Sequence, residues 1–448
     1  MADSLGGGVL YRLEKPGALS GQPSYIGDAA KRVLARGLAE TDDHKLKVSL
    51  TLDATNSPAT VRGFDAMERQ SLKAQLHLEY VWDTTAVHLA LGAKSTTGKD
   101  RQVFVPDGSY VAQRIGNAAV YAGYMSHWWG PGWSTALSLS NNARPFPQIG
   151  ITRNDTTAFE SSWLRWIGPW QAEFFIGVLD GDRIARNTLF NGLRVSFNPI
   201  EGLELGLSRT EQLCGTGHPC KPIAEFFNVM NDPQHVSKSK DETNFDIRYT
   251  ATAWGTPFAV YTQVMDRDTG PFTHSVSSHL FGASVWVPIR SSAIRLTAEY
   301  ADTISTLNFF SFGKDLYGTT YTDYKYIDGW QYRNRIMGSS LGTDSRLAMF
   351  QVGWAGPYQV AYTLTYYHAA IGSPQTWMNG PIPNFDSTHW SPLNLVTTAP
   401  VTINVGEARL HFPFDAFNFD LGIRAQDDQP RPDKGFLMAA EAAITVRL

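Results

Sequence analysis

The residues best suited to bind a ligand in this chain are aromatic and cationic side chains interleaved between positions 317 and 335. Aromatic rings offer flat faces to the C–H groups of sugars, and cationic groups form charge-assisted hydrogen bonds with carboxylates. The pattern therefore suits an acidic polysaccharide, although burial inside the protein would explain the same residues equally well. The candidates are Tyr317, Tyr321, Tyr324, Lys325, Tyr326, Trp330, Tyr332, Arg333 and Arg335, with Trp377 and Trp390 further along the chain.

A second group of such residues lies between positions 128 and 170, among glycines and prolines that would shape turns. Sugar contact is one interpretation of this group. A structural role is the favoured one, because an aromatic belt also places tryptophans beside turns. The aromatic and cationic members are Trp128, Trp129, Trp133, Arg144, Trp163, Arg165, Trp166 and Trp170, and the turn-forming members are Gly130, Pro131, Gly132, Pro145, Gly168 and Pro169.

The two cysteines of the chain favour a disulfide over a zinc site. Cys214 and Cys220 enclose a segment that contains Gly and Pro, which would turn the chain back on itself. A zinc site would need a ligand beyond the two thiols and His218, and none is near in sequence. An exported protein would permit the disulfide. We expect no metal and no other cofactor.

Catalysis is not predicted from the residue pattern. A hydrolase would need a Ser, a His and an orienting carboxylate or amide within hydrogen-bond reach of one another. His77 and His88 have only Ser71 near them in sequence. We therefore expect that the protein is not an enzyme, with a hydrolase as the least favoured alternative.

Composition excludes several classes of protein. The 448 residues include 38 basic and 42 acidic ones, a net charge of −4, and the chain has no Lys/Arg run that would indicate nucleic-acid binding. No stretch reaches the roughly 18 apolar residues of a transmembrane helix. The first four residues do not resemble a signal peptide, which fits a cytosolic protein or a mature chain whose signal has been removed.

Alternation of apolar and polar residues runs through the chain from about residue 44. Residues 72–82 place Leu, Ala, Tyr and Trp at even positions and Lys, Gln, His and Glu between them, and residues 436–448 show the same period. Repeated segments of this kind are typical of transmembrane β-barrels. A soluble β-sandwich also alternates, but Tyr80, Trp82, Tyr300 and Trp354 lie near predicted strand ends, as an aromatic girdle would.

Tight turns and long links alternate between the predicted strands, as they do in outer-membrane barrels. The count gives about eighteen antiparallel strands, so residues 44–448 are predicted to form an all-β transmembrane barrel with both ends on the periplasmic side. Residues 1–43 would form a short N-terminal periplasmic segment with one helix over residues 26–40. Long extracellular loops are expected at 213–242, 304–343 and 372–399, and the 130–143 link is placed on the periplasmic side. Outer loops are also expected at 97–115 and 152–157, with a strand between residues 157 and 168.

A hairpin centred on Asp83 and Thr84 would pair Glu79 with His88, and Lys73 with Lys94, on the lumenal face. Two opposed lysines are unfavourable unless a carboxylate or another anion lies between them. Five other arginines predicted to point inward have carboxylates to match, so we expect a lumen crossed by ion pairs and not an open selective pore. These residues are Arg194, Arg248, Arg295, Arg424 and Arg447, with Glu204, Asp246, Glu299, Asp420 and Glu441.

The order of several motifs resembles the Wzi capsule-assembly family of Gram-negative outer-membrane proteins. The motifs are His127–Trp133 (HWWGPGW), Asn142–Pro145 (NARP), Trp163–Trp170 (WLRWIGPW), Phe197–Pro199, Leu203–Gly206 and Tyr326–Gln331, with the densest match over residues 118–210. The resemblance implies an eighteen-stranded barrel occluded by its own loops and an N-terminal periplasmic helical part, which is shorter here than is usual. It also implies lectin-like attachment of capsular polysaccharide to the cell surface, without enzymatic activity.

The resulting prediction is an outer-membrane lectin-like protein that attaches capsular or extracellular polysaccharide to the cell surface. Its expected partners are that polysaccharide, outer-membrane lipids and the polysaccharide export machinery, with no nucleic acid. The alternative is a porin or substrate-specific channel, which would have an open lumen and conduct ions. We expect a monomer, because a closed barrel has no free strand edge, whereas a stable trimer would favour a porin.

Overall fold

The structure is a computed structural model that describes residues 45–448 apart from internal gaps. The predicted helix over residues 26–40 lies outside the described residues, as do the binding candidates Tyr324, Lys325, Trp377 and Trp390. The gaps are residues 65, 67–70, 83, 97–101, 155, 182, 219, 221–238, 268–275, 290–291, 308–314, 324–325, 356–359, 375–393, 415 and 431–434.

The described residues form an all-β fold. Four of the 22 strands have two residues each, and the other 18 form one closed antiparallel barrel in which β1 pairs with β22. The strands are β1 (Lys47–Thr55), β2 (Leu72–Val81), β3 (Thr85–Lys94), β4 (Phe104–Val105), β5 (Tyr110–Ile115), β6 (Ala118–Gly123), β7 (Gln148–Arg153), β8 (Trp170–Leu179), β9 (Thr188–Phe197), β10 (Leu203–Leu213), β11 (Lys240–Ala253), β12 (Thr256–Arg267), β13 (Val276–Ile289), β14 (Ser292–Leu307), β15 (Asp315–Leu316), β16 (Gln331–Tyr332), β17 (Arg335–Ile336), β18 (Arg346–Ala355), β19 (Ala361–Ile371), β20 (Val401–Phe414), β21 (Phe417–Gln426) and β22 (Leu437–Arg447).

A 3₁₀ turn, Arg165–Ile167, lies between β7 and β8. Among the described residues, no helix has the length and apolar composition needed to cross a membrane.

The alternation in the sequence corresponds to the two faces of the barrel wall. In β3, Leu89 and Leu91 are exposed on the outside while His88 and Ala90 are buried on the inside. In β21, Leu421 and Ile423 face outward, whereas Arg424, the residue after Ile423, faces inward and is buried. An apolar outer band around a polar interior is the arrangement of a transmembrane barrel. The prediction of an all-β barrel of eighteen antiparallel strands is confirmed.

The two ends of the barrel differ in the length of their links. We term the end that holds Lys47, Arg447 and short turns such as residues 254–255 the turn end, and the opposite end the loop end. The strand ends that border the three predicted long loops, Leu213 and Lys240, Leu307 and Arg346, and Ile371 and Val401, all lie at the loop end.

The predicted strand order was wrong between residues 110 and 169. Residues 110–123 form the hairpin β5–β6, and residues 158–167 contain a 3₁₀ turn where a strand was expected. The two errors cancel in the strand count, but they move the 130–143 link to the loop end and residues 154–169 to the turn end. The β5 and β6 strands have six residues each, which is too short for a clear alternation, and Gly116 turns the chain between them at φ 59°.

The predicted register of the β2–β3 hairpin is confirmed. Glu79 is opposite His88, and Lys73 is opposite Lys94, with Asp53 of β1 on the other side of Lys73. Asp53, a carboxylate of the barrel wall, is therefore next to Lys73 in the same row as the two opposed lysines. His88 forms its hydrogen bond with His77, at 3.2 Å between Nε2 and Nδ1, in place of the predicted pair with Glu79.

Ion pairs on the inner wall join members of the predicted set of arginines to members of the predicted set of carboxylates. Arg194 binds Asp246 at 2.8 Å, and Arg424 binds Glu441 at 2.7 Å. Arg295 instead donates to the Gln351 side chain at 2.6 Å. The residue types that line the lumen could be predicted from the sequence. Which arginine pairs with which carboxylate depends on neighbours across strands.

Candidate functional site

Residues 124–147, which connect β6 to β7 at the loop end, pack against inward-facing side chains of strands that are not their neighbours in the sheet. We term them the lumenal segment. The Leu137 amide donates to Gln263 Oε1 of β12 at 3.1 Å, and Gln263 Nε2 donates to the Trp129 carbonyl at 2.8 Å. The Ser138 hydroxyl lies 3.0 Å from that of Thr210 in β10. These contacts join the segment to a distant part of the barrel wall.

Glu299 of β14 is the main anchor of the lumenal segment. Its Oε1 accepts from the Trp133 amide at 2.7 Å and from the Tyr261 hydroxyl, and its Oε2 accepts from the Ser134 amide at 2.7 Å and from the Ser134 hydroxyl. The Arg295 guanidinium stacks 3.9 Å from the Trp133 ring centroid, a favourable cation–π distance. A charged acceptor on the wall thus fixes the WWGPGW turn.

The two glycines of that turn allow its close approach to the wall. A Cβ atom on Gly130 would lie 2.5 Å from Gln263 Oε1, and one on Gly132 would lie 2.4 Å from the Thr135 carbonyl oxygen. Because such contacts are too short for any larger residue, the motif serves to seat the lumenal segment. This structural role is the interpretation favoured from the sequence.

Three aromatic candidates from residues 317–335 are buried and hold neighbouring backbone. The Tyr321 hydroxyl donates to the Leu137 carbonyl at 2.5 Å, and Trp330 Nε1 donates to the Ser138 carbonyl at 3.2 Å. The Tyr326 hydroxyl donates to the Cys214 carbonyl at 3.0 Å. Burial raises the pKa of Tyr321, so its hydroxyl stays protonated and keeps this donor role. In this geometry the rings pack in the interior and present no open face to a ligand.

Arg333 lies at the tip of a short hairpin formed by β16 and β17. Arg333 and Asn334 are the two residues of its turn, and both have positive φ, 47° and 65°. Arg333 Nη2 binds Asp180 Oδ2 at 2.9 Å, and its Nε donates to the Tyr332 hydroxyl at 3.1 Å. The Tyr332 hydroxyl itself donates to Asp180. These contacts fix the position of the Arg333 guanidinium. The backbone of Arg333 is in a conformation that residues other than glycine rarely adopt.

A cavity of about 250 Å³ at the loop end is lined by three arginines from two parts of the chain. Arg333 and Arg335 come from the hairpin, and Arg144 comes from the lumenal segment. Arg144 is buried and forms two 2.9 Å hydrogen bonds with the Asp107 carboxylate. The cavity is completed by Asn142, Asn334, Ser340, Pro58, Ala59, Thr60, Ile336, Leu395 and Val396.

The cavity thus joins residues that the sequence placed in two separate groups. Asp107 and Asp180, which hold two of the arginines, were missed, because nothing local in the sequence relates them to Arg144 or Arg333. Asn334 was also missed. An Asn is a sequence signal for a two-residue hairpin turn, since Asn tolerates positive φ.

The remaining candidates lie apart from the cavity. Trp128 packs edge-on against Phe64, and Tyr317 donates to Asp315 at 3.0 Å. Trp163, Arg165 and Trp166 are exposed at the turn end, and Trp170 stacks on Phe159 in the same region. The sulfurs of Cys214 and Cys220 are bonded to each other. No group of three or more His, Cys, Asp or Glu that could hold a metal ion occurs among the described residues.

Comparison with known proteins relates the chain to capsule assembly. The family model of the capsule assembly protein Wzi matches residues 42–372. An uncharacterized 55.8 kDa protein in the cps region of Klebsiella pneumoniae is 26% identical over 270 residues, which are 58% of this chain and 53% of that protein. The chain therefore matches about half the length of this curated relative.

Among solved structures, Wzi from Escherichia coli has a TM-score of 0.78 at 20% identity, over 99% of this chain and 91% of its own. It is described as an outer-membrane protein involved in group 1 capsule assembly and as a carbohydrate-binding β-barrel. OccK2 from Pseudomonas aeruginosa has a TM-score of 0.47 at 11% identity, over 90% of this chain and 98% of its own. Because the family match spans well over half of the residues, this chain belongs to the Wzi capsule assembly family, and its barrel fold and family point to an outer-membrane protein.

Proposed function

We propose that this protein is a lectin-like outer-membrane barrel that attaches an acidic capsular polysaccharide to the cell surface through the loop-end cavity. The observation that carries this proposal is the convergence of Arg144, Arg333 and Arg335 on one cavity. The Wzi family and the carbohydrate-binding description of the Escherichia coli protein support the ligand class. The loop end would face the outside of the cell, as long loops do in outer-membrane barrels.

The chemistry of the cavity suits a polymer that carries carboxylates. Guanidinium groups present planar, paired donors that match a carboxylate. Asn142, Asn334 and Ser340 offer donors and acceptors to sugar hydroxyls, while Ile336, Leu395 and Val396 offer apolar surface to sugar C–H groups. Aliphatic side chains would thus take the place of the aromatic faces expected from the sequence.

The backbone at Arg333 adds support for a functional role. A residue other than glycine held at positive φ costs roughly 1–3 kcal/mol, and such residues cluster at functional sites. Arg333 has φ 47° and is held by Asp180 and Tyr332. This arrangement fixes the guanidinium at the cavity before a ligand arrives, which lowers the entropic cost of binding.

We also propose that the lumenal segment and residues 315–323 and 326–345 close the lumen. The support is the packing of Trp129, Leu137, Phe146, Trp330 and Met337 into one buried apolar cluster inside the barrel. With the lumen filled, the protein would act as an attachment surface and not as a diffusion pore. An open channel is the competing function.

The proposal is tested by measuring the affinity of the purified protein for an acidic capsular polysaccharide and for a neutral glucan. We expect binding to the acidic polymer alone, weakened by added salt. Arg335→Ala should lower the affinity by about 10- to 100-fold, since a hydrogen bond to a charged group contributes about 1.5–3 kcal/mol. Arg335→Lys should retain part of it.

Arg165→Ala is the matched control, because Arg165 is an exposed arginine at the opposite end of the barrel. It should leave the affinity unchanged. Equal affinity of Arg335→Ala and wild type, or equal binding of the neutral glucan, would contradict the proposed site.

A further inference from the structure

Residues 154–169, the link from β7 to β8 at the turn end, fold against the outer face of the barrel. We term them the outer link. Phe175 of β8 points inward and is buried. Because successive side chains of a strand point to opposite faces, Trp170, five residues earlier, points outward. In β7, Ile149 and Ile151 are exposed on the outside, which puts Arg153 on the same face. Residues of the link that contact the side chains of Trp170 and Arg153 therefore lie on the outer face of the barrel.

Both outward residues contact the outer link. Phe159 stacks on Trp170 with ring centroids 4.8 Å apart and planes 15° from parallel. The Arg153 guanidinium lies 3.9 Å from the Trp170 ring centroid and donates to the Thr157 carbonyl at 2.9 Å. The beginning of the link is therefore held on the side of the barrel that faces lipid.

The end of the link is held by the neighbouring turn. A Cβ atom on Gly168, which has φ 68°, would lie 1.9 Å from the Asn198 carbonyl oxygen, and the Asn198 amide donates to the Pro169 carbonyl at 2.9 Å. Between these two attachments, the 3₁₀ turn leaves Trp163 at 73% and Trp166 at 64% exposure. Ile200 of the adjoining turn is also exposed.

These indoles continue a ring of exposed aromatic residues at the same end of the barrel. Trp82, Trp254, Tyr362 and Phe414 are all exposed there. Tryptophan is enriched where a membrane meets water, because its ring is apolar and its N–H is polar. Continuity with this ring identifies lipid as the surface that covers the patch, in preference to a protein.

We propose that the outer link is a lipid anchor, in which Trp163 and Trp166 insert into the headgroup layer of the leaflet at the turn end. Arg165 lies between the two indoles in the sequence, and the two arginines of this region, Arg153 and Arg165, are balanced in number by Glu160 and Glu201. The anchor therefore depends on the indole rings and not on attraction to anionic lipids. It gives the WLRWIGPW motif a role separate from the polysaccharide site.

The test uses the full chain reconstituted in vesicles of phosphatidylethanolamine and phosphatidylglycerol. Trp163→Cys and Trp166→Cys are labelled singly with a nitrobenzoxadiazole fluorophore, since both natural cysteines are already bonded to each other. Quenching is measured with a lipid that carries a spin label at its headgroup and with iodide in the water. Each variant is first shown to be a folded barrel by its heat-modifiable electrophoretic mobility.

We expect both labels to be quenched by the spin-labelled lipid and protected from iodide. Trp254→Cys serves as the reference for the aromatic ring, and Lys45→Cys, exposed before β1, as the reference for water. Labels at 163 and 166 that match position 45, with strong iodide quenching and no lipid quenching, would overturn the proposal and leave the patch to a protein partner.

Discussion

Glu299 shows how one buried carboxylate can fix the conformation of a whole segment. Each of its two oxygens accepts two hydrogen bonds, from the Trp133 amide and Tyr261 on one side and from the Ser134 amide and hydroxyl on the other. A carboxylate suits this place because it is an acceptor at both oxygens, whereas a carboxamide presents N–H groups on one side.

Glu299→Gln should therefore destabilise the protein. Its amide nitrogen would face two donors, leaving them unsatisfied at a cost of about 1–3 kcal/mol in the free energy of unfolding. Unfolding of the purified barrel in detergent by urea measures this difference. Glu201→Gln, at an exposed position in a turn, is the control and should behave like wild type. Equal stability of the two variants would show that Glu299 does not anchor the segment.

For single residues, the sequence identified the types of the candidate binding side chains better than their positions. Arg333 and Arg335 were singled out and do line the cavity, but Tyr321, Tyr326 and Trp330 were singled out by the same criterion and are buried. Aromatic residues suit both a sugar-binding surface and a protein core. Only contacts across the fold, such as that of Trp330 with Ser138, distinguish the two.

The β16–β17 hairpin is the element that positions the proposed polysaccharide site. Its two turn residues need positive φ, a geometry for which the sequence Asn-Gly is preferred. The protein has Arg333 and Asn334 there instead. We interpret this departure as a cost in local stability that is tolerated because the proposed site uses an arginine at position 333.

The double variant Arg333→Asn with Asn334→Gly separates these two effects. The hairpin should be as stable as in wild type or more so, because Asn-Gly fits the turn, while affinity for the acidic polysaccharide should fall at least tenfold. Unfolding and binding are measured on the same preparation. Wild-type affinity in this variant would mean that Arg333 has no part in binding, and reduced stability would refute the account of the turn.

Long strands were predicted well from the sequence, and short ones were not. The β2–β3 pairing was predicted to the residue, since ten residues of alternation and a tight turn fix a register. The six-residue strands β5 and β6 were missed, and a strand was expected over residues 158–167, which include WLRWI. Their conformation depends on tertiary contacts such as that of Gly168 with Asn198.

At the scale of the whole molecule, closure of the sheet followed from the number and parity of the strands. The path of the links did not, because the lumenal segment is held by Gln263 and Glu299, residues more than a hundred positions away. No local pattern relates these residues. The sequence could therefore predict a barrel, but not which links pack inside it.

Closure of the lumen by these links is what separates an attachment protein from a pore, and single-channel recording of the purified protein in a planar bilayer tests it directly. We expect the wild-type protein to be silent or to show only rare, brief openings. Glu299→Gln should open more often, because it loosens the lumenal segment while the backbone pairing of the barrel strands is kept. Steady open currents from the wild-type protein would contradict a closed attachment barrel and would favour a porin.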